Sequence, residues 1–230
     1  MKLNVFISGE IIDLCVPTRE FAEKSDWYSW FNDPKITRYL EQGVFPNTPG
    51  FQVDFLEKQQ KERLLLIISN RKEYLGVVSL SSIDFFKKRA QVALVMNSAS
   101  DVLKSPLISL EALARITEHG FQTMGLNRIA GGQHINLSAG WGQRMELFGY
   151  RVEGINRHSF VKGREIADGV WVAAVYEDYM KIKSIRGEYW DSAAKMEERI
   201  KKLSKNKFID GLQAFMNEKG ESYYENIYNL

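Results

Sequence analysis

Two titratable side chains follow predicted strands, where they could act as a proton acceptor. His134 comes directly after the apolar stretch 128–133, and an imidazole can take up a proton near neutral pH. Asp84 follows the stretch 74–83 and is the second candidate for a general base. The ordinary alternatives are a surface loop histidine and a turn aspartate. These two side chains are therefore candidates for a proton acceptor, with His134 preferred over Asp84.

The residues that usually bind metals or form disulfides are scarce. Cys15 is the one cysteine in the sequence, which excludes a disulfide within the chain and a metal site built from cysteines. The three histidines, at positions 119, 134 and 158, lack the spacing of metal ligands. We therefore expect no metal centre.

The composition is that of a folded, nearly neutral protein. Of the 230 residues, 44% are hydrophobic and 26% charged, and 31 Lys and Arg against 29 Asp and Glu give a net charge of +2. This balance gives no electrostatic reason to expect nucleic acid as a partner. No apolar run approaches the roughly 18 residues of a membrane span, and Glu10 and Asp13 argue against a signal peptide. We expect a soluble cytoplasmic protein without a membrane partner.

The hydrophobic pattern predicts an α+β fold with a mostly antiparallel sheet. Continuous or alternating apolar runs predict adjacent strands at 64–69, 74–83 and 90–96, joined by short turns. A helical period follows over 107–123 and ends near Gly125. Weaker strands and helices precede and follow these elements, at 3–7, 10–16, 21–31, 34–40, 50–63, 128–133, 137–148, 150–160 and 170–175.

The pattern changes after residue 180, where two apolar helical stripes appear. The first is Ala193, Met196, Ile200 and Leu203, and the second is Phe208, Leu212, Phe215 and Met216. We therefore divide the chain into a domain over 1–180 and a helical appendage over 181–230. Such stripes need a covering surface, either on the same chain or on a second copy. We favour a homodimer, because a complete domain should not need the appendage for its core.

Six segments, in a fixed order, carry a resemblance to a known family. They are WYSWFNDPKITRYL at 27–40, GVVSLSSID at 76–84, AQVALVM at 90–96, LEALARITEHGFQTMGLNRI at 110–129, HINLSAGWGQRMELFGYRVEG at 134–154 and VKGREIADGVW at 161–171. Together they resemble the GNAT superfamily of N-acetyltransferases, in particular the branch of ribosomal-protein N-terminal and amino-sugar acetyltransferases. The resemblance implies a mixed sheet in which strands 90–96 and 127–133 splay apart to bind acetyl-CoA.

The resemblance also implies which residues bind the cofactor. The main chain of Leu94, Val95 and Met96 would bind the pantetheine arm as an added strand would. Asn136 matches a family asparagine that binds the same arm, although a helix N-cap is the equal alternative. Ser138 would face the nucleotide or solvent.

The stretch that would bind the pyrophosphate departs from the family pattern. It comprises Lys104, Ser105, Pro106, Leu107, Ile108 and Ser109. Lys104 keeps the basic start, but Leu107 and Ser109 replace glycines and Pro106 has no N–H. We expect the N-terminus of the following helix to bind the phosphates even so. Weak or lost cofactor binding is the alternative.

The catalytic positions of the family are altered too. Gln91 stands where many members have a glutamate base, and Met145 where many have a tyrosine acid. His134 or Asp84 would have to replace the base. Asp168 matches a branch aspartate that either anchors a strand turn or helps bind the acceptor amine. The aromatic residues that would form the wall of the acceptor pocket are Trp27, Trp30 and Tyr39, some of which we expect in the core.

These features together predict an acetyl-CoA-dependent N-acetyltransferase. The acceptor would be a primary amine of a protein N-terminus, an amino acid or an amino sugar, attacking the thioester directly. The alternative is a catalytically inactive binding or assembly module on the same fold, which the altered loop, Gln91 and Met145 favour.

Overall fold

The computed structural model describes residues 1–97 and 105–229. Within these residues, eight strands form one sheet in the order β1-β2-β3-β4-β5-β6-β8-β7. The strands are β1 Val5–Ser8, β2 Asp13–Cys15, β3 Leu64–Ser69, β4 Tyr74–Asp84, β5 Arg89–Met96, β6 Arg128–His134, β7 Arg151–Lys162 and β8 Glu165–Val175. Every neighbouring pair in this sheet is antiparallel except β5 and β6. The predicted α+β fold with a mostly antiparallel mixed sheet is therefore confirmed.

Helices precede, connect and follow the strands. They are α1 Arg19–Lys24, α2 Trp27–Trp30, α3 Pro34–Thr37, α4 Pro49–Gln59, α5 Leu107–Gln122, α6 Ile135–Leu137, α7 Gln143–Met145, α8 Tyr176–Arg186, α9 Ala193–Lys201, α10 Phe208–Phe215 and α11 Glu221–Tyr228. Local chemistry sets several starts: Thr18 Oγ1 accepts a hydrogen bond from Phe21 N (3.1 Å), and Pro34 occupies the first turn of α3. None of the described helices is both long and apolar enough to cross a membrane.

The sheet separates two hydrophobic cores. On one face, α5 packs with the C-terminal helices in the larger core, whose strand residues include Val78, Leu80 and Val92. On the other face, α1, α2 and α4 cover Leu65 and Val77. Because successive strand residues point to opposite faces, β4 contributes to both cores and is buried continuously from Leu75 to Leu80.

Pairing between the two parallel strands stops early. β5 and β6 pair at Arg89–Arg128, Ala90–Ile129 and Gln91–Ala130 and no further, although both strands continue. Beyond that point β5 keeps its pairing with β4 up to Met96, and β6 keeps its pairing with β8 up to His134. The predicted splay between these two strands is therefore confirmed, and it opens after Gln91.

A buried carboxylate fixes the turn between β1 and β2. Glu111, on α5, is fully buried and accepts hydrogen bonds from the backbone N–H groups of Glu10, Ile11 and Ile12 at 2.5, 2.8 and 3.3 Å. Arg115, one turn along α5, pairs with the same carboxylate at 3.0 Å. Three N–H donors and one guanidinium thus satisfy a charge that could not otherwise be buried.

The segment after residue 180 packs on the same core as the sheet. The expected boundary falls inside α8, and Tyr189, Trp190 and Met196 are almost fully buried in the larger core. Trp190 Nε1 donates to Glu10 Oε2 at 2.8 Å, which ties this segment to the first turn of the sheet. The assumption that the core is complete without residues 181–230 was therefore wrong. The period-based prediction missed it because Tyr189 and Trp190 lie between helices, outside any periodic pattern.

Replacing Glu111 tests how much the turn depends on that carboxylate. We expect Glu111→Ala to lower the free energy of unfolding by about 3–5 kcal/mol, because Arg115 and three backbone donors lose their partner. Urea denaturation measures this loss. As a control, Glu197→Ala removes an exposed partner of Lys201 and should cost less than about 1 kcal/mol. Equal losses in both variants would contradict the role of Glu111.

Candidate functional site

A cavity of about 780 Å³ lies where β5 and β6 separate. Its lining includes Ala93, Leu94 and Val95 on β5 and residues 131–134 on β6. The β7–β8 hairpin, α2, α4 and the loop 40–47 complete the wall. Facing edges of two unpaired strands therefore border this space, so their backbone N–H and C=O groups are available to a ligand.

A glutamine side chain in this wall has buried polar atoms without partners. Both Oε1 and Nε2 of Gln133 are buried, and neither has a hydrogen-bond partner among the described residues. Gly142 lies beside this amide: a Cβ there would approach Nε2 to 2.5 Å. Gly142 ends a π-helical turn, Ser138–Gly142, which keeps the main chain close to the Gln133 amide. An amide buried without a partner is costly unless a ligand or an ordered water supplies one.

His134 is nearly fully buried at the end of β6, between two aromatic rings. Its ring lies 4.6 Å from that of Tyr39 and 4.7 Å from that of Phe160, measured between centroids. Its Nε2 is 3.6 Å from Glu165 Oε1. Arg38 forms a two-pronged hydrogen-bonded pair with Glu165 and lowers the pKa of that carboxyl below its ordinary value.

The nitrogens of His134 both face groups of the protein. Nδ1 accepts a hydrogen bond from Asn136 N at 3.2 Å and so caps the helical turn that begins at Ile135. This bond places the proton of the neutral imidazole on Nε2, which faces the carboxylate of Glu165. Accepting a further proton would break the cap. The arrangement therefore favours a positioning role for His134 over the predicted role as a general base.

The capping alternative for Asn136 was wrong, because the strand continues one residue further than expected and His134 takes that position. Asn136 lies in the first turn and is exposed. Ser138 is buried, and its hydroxyl donates to Ile135 O at 2.5 Å. Neither side chain is among those that line the cavity. The helix expected over 137–148 is instead a chain of short turns beginning at Ile135.

The residues expected at the pyrophosphate are only partly described. Lys104 lies outside the described residues. Ser105 Oγ accepts a hydrogen bond from Leu107 N at 3.3 Å, and Ser109 Oγ donates to Pro106 O at 2.9 Å, so both hydroxyls are engaged within the turn. Ile108 is buried in the larger core. Any phosphate contact by 107–109 would therefore come from backbone N–H groups of the first turn of α5.

The other predicted residues are scattered. Leu94 and Val95 line the cavity, whereas Met96 lies next to Gly76, where β4 and β5 pair. Asp84 is the last residue of β4, and its Oδ1 accepts a hydrogen bond from Lys87 N in the following turn at 2.8 Å. Asp168 lies within β8, three residues after its start at Glu165, and accepts from His158 N at 2.8 Å across a bulge. These contacts give both aspartates structural roles.

Among the aromatic residues, Trp27 and Tyr39 line the cavity, and Trp30 is buried in the smaller core. The cavity is also lined by Gln52, Arg63 and Gln133, which were not predicted as site residues. The one signal for Arg63 is its place directly before the aliphatic run 64–69. Within the described residues, no group of three or more potential ligands could hold a metal ion.

Solved structures share this fold at low sequence identity. The microcin C7 self-immunity acetyltransferase MccE, solved with acetyl-CoA and AMP, is 20% identical and superposes with a TM-score of 0.61, covering 73% of this chain and 93% of its own. The ribosomal L7/L12 α-N-protein acetyltransferase RimL, solved with coenzyme A, is 12% identical, with a TM-score of 0.64 and coverages of 75% and 98%.

A GNAT-family acetyltransferase from Bacillus anthracis is 21% identical, with a TM-score of 0.61 and coverages of 74% and 98%. No family model and no curated protein matches the sequence. The chain therefore has the GNAT acetyltransferase fold, as its sequence resemblance predicted.

Two variants of His134 isolate its capping bond. Asn and Ala at this position both remove the imidazole and its ring contacts, but Asn is a good N-cap and Ala is not. We expect His134→Asn to be more stable than His134→Ala by about 1 kcal/mol, measured by urea denaturation. If the two variants unfold at the same urea concentration, the bond from Asn136 N does not stabilise the turn.

Proposed function

We propose that this protein is an acetyl-CoA-dependent N-acetyltransferase. The observation that carries this proposal is the loss of pairing between β5 and β6 after Gln91, which opens a lined cavity at the centre of the sheet. A thioester bound there would supply an activated acetyl group to an amine. The fold shared with MccE and RimL, both solved with coenzyme A or acetyl-CoA, supports the same reading.

The residues that would bind the cofactor are mainly backbone groups. The unpaired edge of β5 at Leu94 and Val95 can pair with the amides of a pantetheine arm, as with an added strand. Gln133, whose amide is buried without a described partner on the opposite strand, can donate and accept at the same ligand. The cavity thus offers polar partners on both of its strand walls, which suits the amide groups of a pantetheine arm.

The pyrophosphate would lie at the N-terminus of α5. First-turn N–H groups of a 16-residue helix and its dipole favour an anion there. Pro106 precedes this turn and Ser105 already accepts one of its N–H groups, so fewer donors remain than in a glycine loop. Lys104 is our candidate for the compensating charge.

In the transfer step, the amine nitrogen forms a bond to the acetyl carbon and the carbon–sulfur bond breaks. Backbone N–H groups near Val95 and Met96 are our candidates for stabilising the charge on the carbonyl oxygen. The amine must lose one proton and the thiolate can take one up. Asp84 and Asp168 already accept hydrogen bonds from backbone N–H groups, and the Nδ1 of His134 is engaged in a cap. We therefore propose that the ammonium loses its proton to water before the attack.

His134 remains the alternative base. If it accepts the proton, both His134→Asn and His134→Ala should lower turnover by about 10²–10⁴-fold. The proposed positioning role predicts a much smaller loss in His134→Asn. The acceptor would be a protein N-terminus, an amino acid or an amino sugar, in the cytoplasm as the sequence suggests.

A second candidate function is a non-catalytic binding module. Gln91 cannot take a proton, and Met145 is buried and cannot donate one to sulfur. A module of this kind would bind acetyl-CoA or an amine without releasing free thiol. Thiol release over a panel of amines therefore separates the two functions.

We also propose that residues 181–230 mediate a homodimer, through α10 and α11. The first stripe packs on the chain's own core through Met196, whereas Phe208 and Phe215 of the second stripe are 65% and 46% exposed. Tyr224 and Tyr228 add further exposed aromatic surface on α11. A second copy could cover this face symmetrically.

The cofactor proposal is tested by calorimetry with acetyl-CoA. We expect saturable binding that Lys104→Ala weakens about 5–30-fold, because a charge-assisted contact to phosphate contributes about 1–2 kcal/mol. The effect should shrink at high salt. Lys87→Ala, which removes an exposed charge from the β4–β5 turn, is the matched control. No binding at millimolar acetyl-CoA would overturn the proposed enzyme.

The dimer is tested by light scattering of the full chain at micromolar concentration. We expect a dimer, and a monomer after the paired substitution Phe208→Ser and Phe215→Ser, which removes exposed apolar surface from the interface. Phe86→Ser changes a phenylalanine that is 95% exposed in the β4–β5 turn and should leave the dimer intact. A full chain that is monomeric at high micromolar concentration contradicts this proposal.

A further inference from the structure

We infer that the cavity contains a subsite for an anionic group, a carboxylate or a phosphate, carried by the amine acceptor. This subsite lies where α2, α4 and the start of β3 meet, and it is defined by Trp27, Gln52, Phe55 and Arg63. The inference names the acceptor class of the proposed acetyltransferase and so rests on that function. The subsite itself is argued from its donors alone.

Two of the donors are fully buried side chains without a partner. Trp27 is 0% exposed and Gln52 is 1% exposed, and both line the cavity. Trp27 Nε1 and Gln52 Nε2 have no hydrogen-bond acceptor among the described residues. Asn47 Nδ2 donates to Gln52 Oε1 at 2.8 Å, which occupies the oxygen and leaves the amide nitrogen as the free end. An acceptor atom of a ligand in the cavity would satisfy these unpaired buried N–H groups.

The third donor is a cation. Arg63 lines the cavity with its guanidinium over the ring of Phe55, 5.9 Å from the centroid. The ring of Phe55 lies edge-on to that of Trp27, with 6.5 Å between the ring centroids. Arg63 Nε is buried without a partner, and burial lowers the pKa of the guanidinium below its ordinary value. No carboxylate of the described residues lies within 4.0 Å of it; its neighbour Glu62 provides a favourable charge interaction. A partly desolvated cation without a close counter-charge favours an anionic ligand.

The sheet register separates this subsite from the expected cofactor phosphates. Arg63 directly precedes Leu64, which pairs with Leu80, and Leu80 pairs with Val92. Arg63 is therefore level with Gln91, at the closed end of the splay. The strand then runs five residues, or about 17 Å, to Met96. Residue 107, where α5 begins, follows Met96 in the sequence. An anion at Arg63 thus belongs to the acceptor and not to the pyrophosphate.

The donor set also excludes a cationic acceptor group at this end. Trp27, Gln52 and Arg63 present N–H groups, and Arg63 is positively charged. Glu41, the acidic residue of the cavity wall, is exposed in the loop 40–47. Amino acids and phosphorylated amino sugars combine an amine with an anionic group in one molecule. An amine without an anionic group would leave Arg63 unpaired.

Matched ligand pairs test the subsite by binding, without any transfer step. Calorimetry would compare N-acetyl-phenylalanine with its amide, and glucosamine 6-phosphate with glucosamine. We expect at least one anionic member to bind on the order of tenfold or more tightly than its neutral partner. Arg63→Gln should remove this preference and Arg63→Lys should keep part of it. Lys61→Gln, an exposed neighbour, is the control for a general loss of charge.

The pair that shows the preference identifies carboxylate or phosphate as the anion. The inference is overturned if no anionic member binds more tightly than its neutral partner, or if Arg63→Gln weakens both members equally. Binding of acetyl-CoA is measured separately. If acetyl-CoA fails to bind but the anion preference persists, the proposed enzyme is overturned and the subsite stands. If acetyl-CoA binds but no anion preference is found, the subsite alone is overturned.

Discussion

Beyond Gln91 and Ala130, the edges of β5 and β6 face a cavity instead of each other. A buried strand edge without a partner is unfavourable, because its N–H and C=O groups have left water without new hydrogen bonds. The rest of the sheet allows this gap: β5 is held by β4 and β6 by β8 along their other edges. Two hydrophobic cores, one on each face, then keep the separated strands in place.

The cavity walls differ in the kind of group they present. The strand walls offer backbone groups and the amide of Gln133, which suit a neutral chain of amides. The closed end presents N–H donors and a cation, while the His134 end is filled by rings and a carboxylate already paired with Arg38. Because the ends are chemically distinct, a ligand bound along the splay has a defined direction.

Periodicity and turn chemistry predicted the framework, because both are local. The run LLLIIS at 64–69 forms β3 over those residues, and the helical period that starts at 107 forms α5. Side-chain roles depended on contacts between distant segments, which no local pattern contains. His134 caps a turn because β6 extends one residue beyond the predicted strand 128–133. Arg63 is a site candidate only because α4 places the ring of Phe55 against its guanidinium.

The bond between Trp190 and Glu10 joins residues 180 positions apart. Glu10 also accepts from Ala193 N, and its own N–H donates to the carboxylate of Glu111. The first turn of the sheet is thus completed by some of the last residues of the core. Contacts of such long sequence separation slow folding. During synthesis, the N-terminal strands must therefore wait for most of the chain before they reach their final environment, and we expect that interval to be when this protein depends most on chaperones.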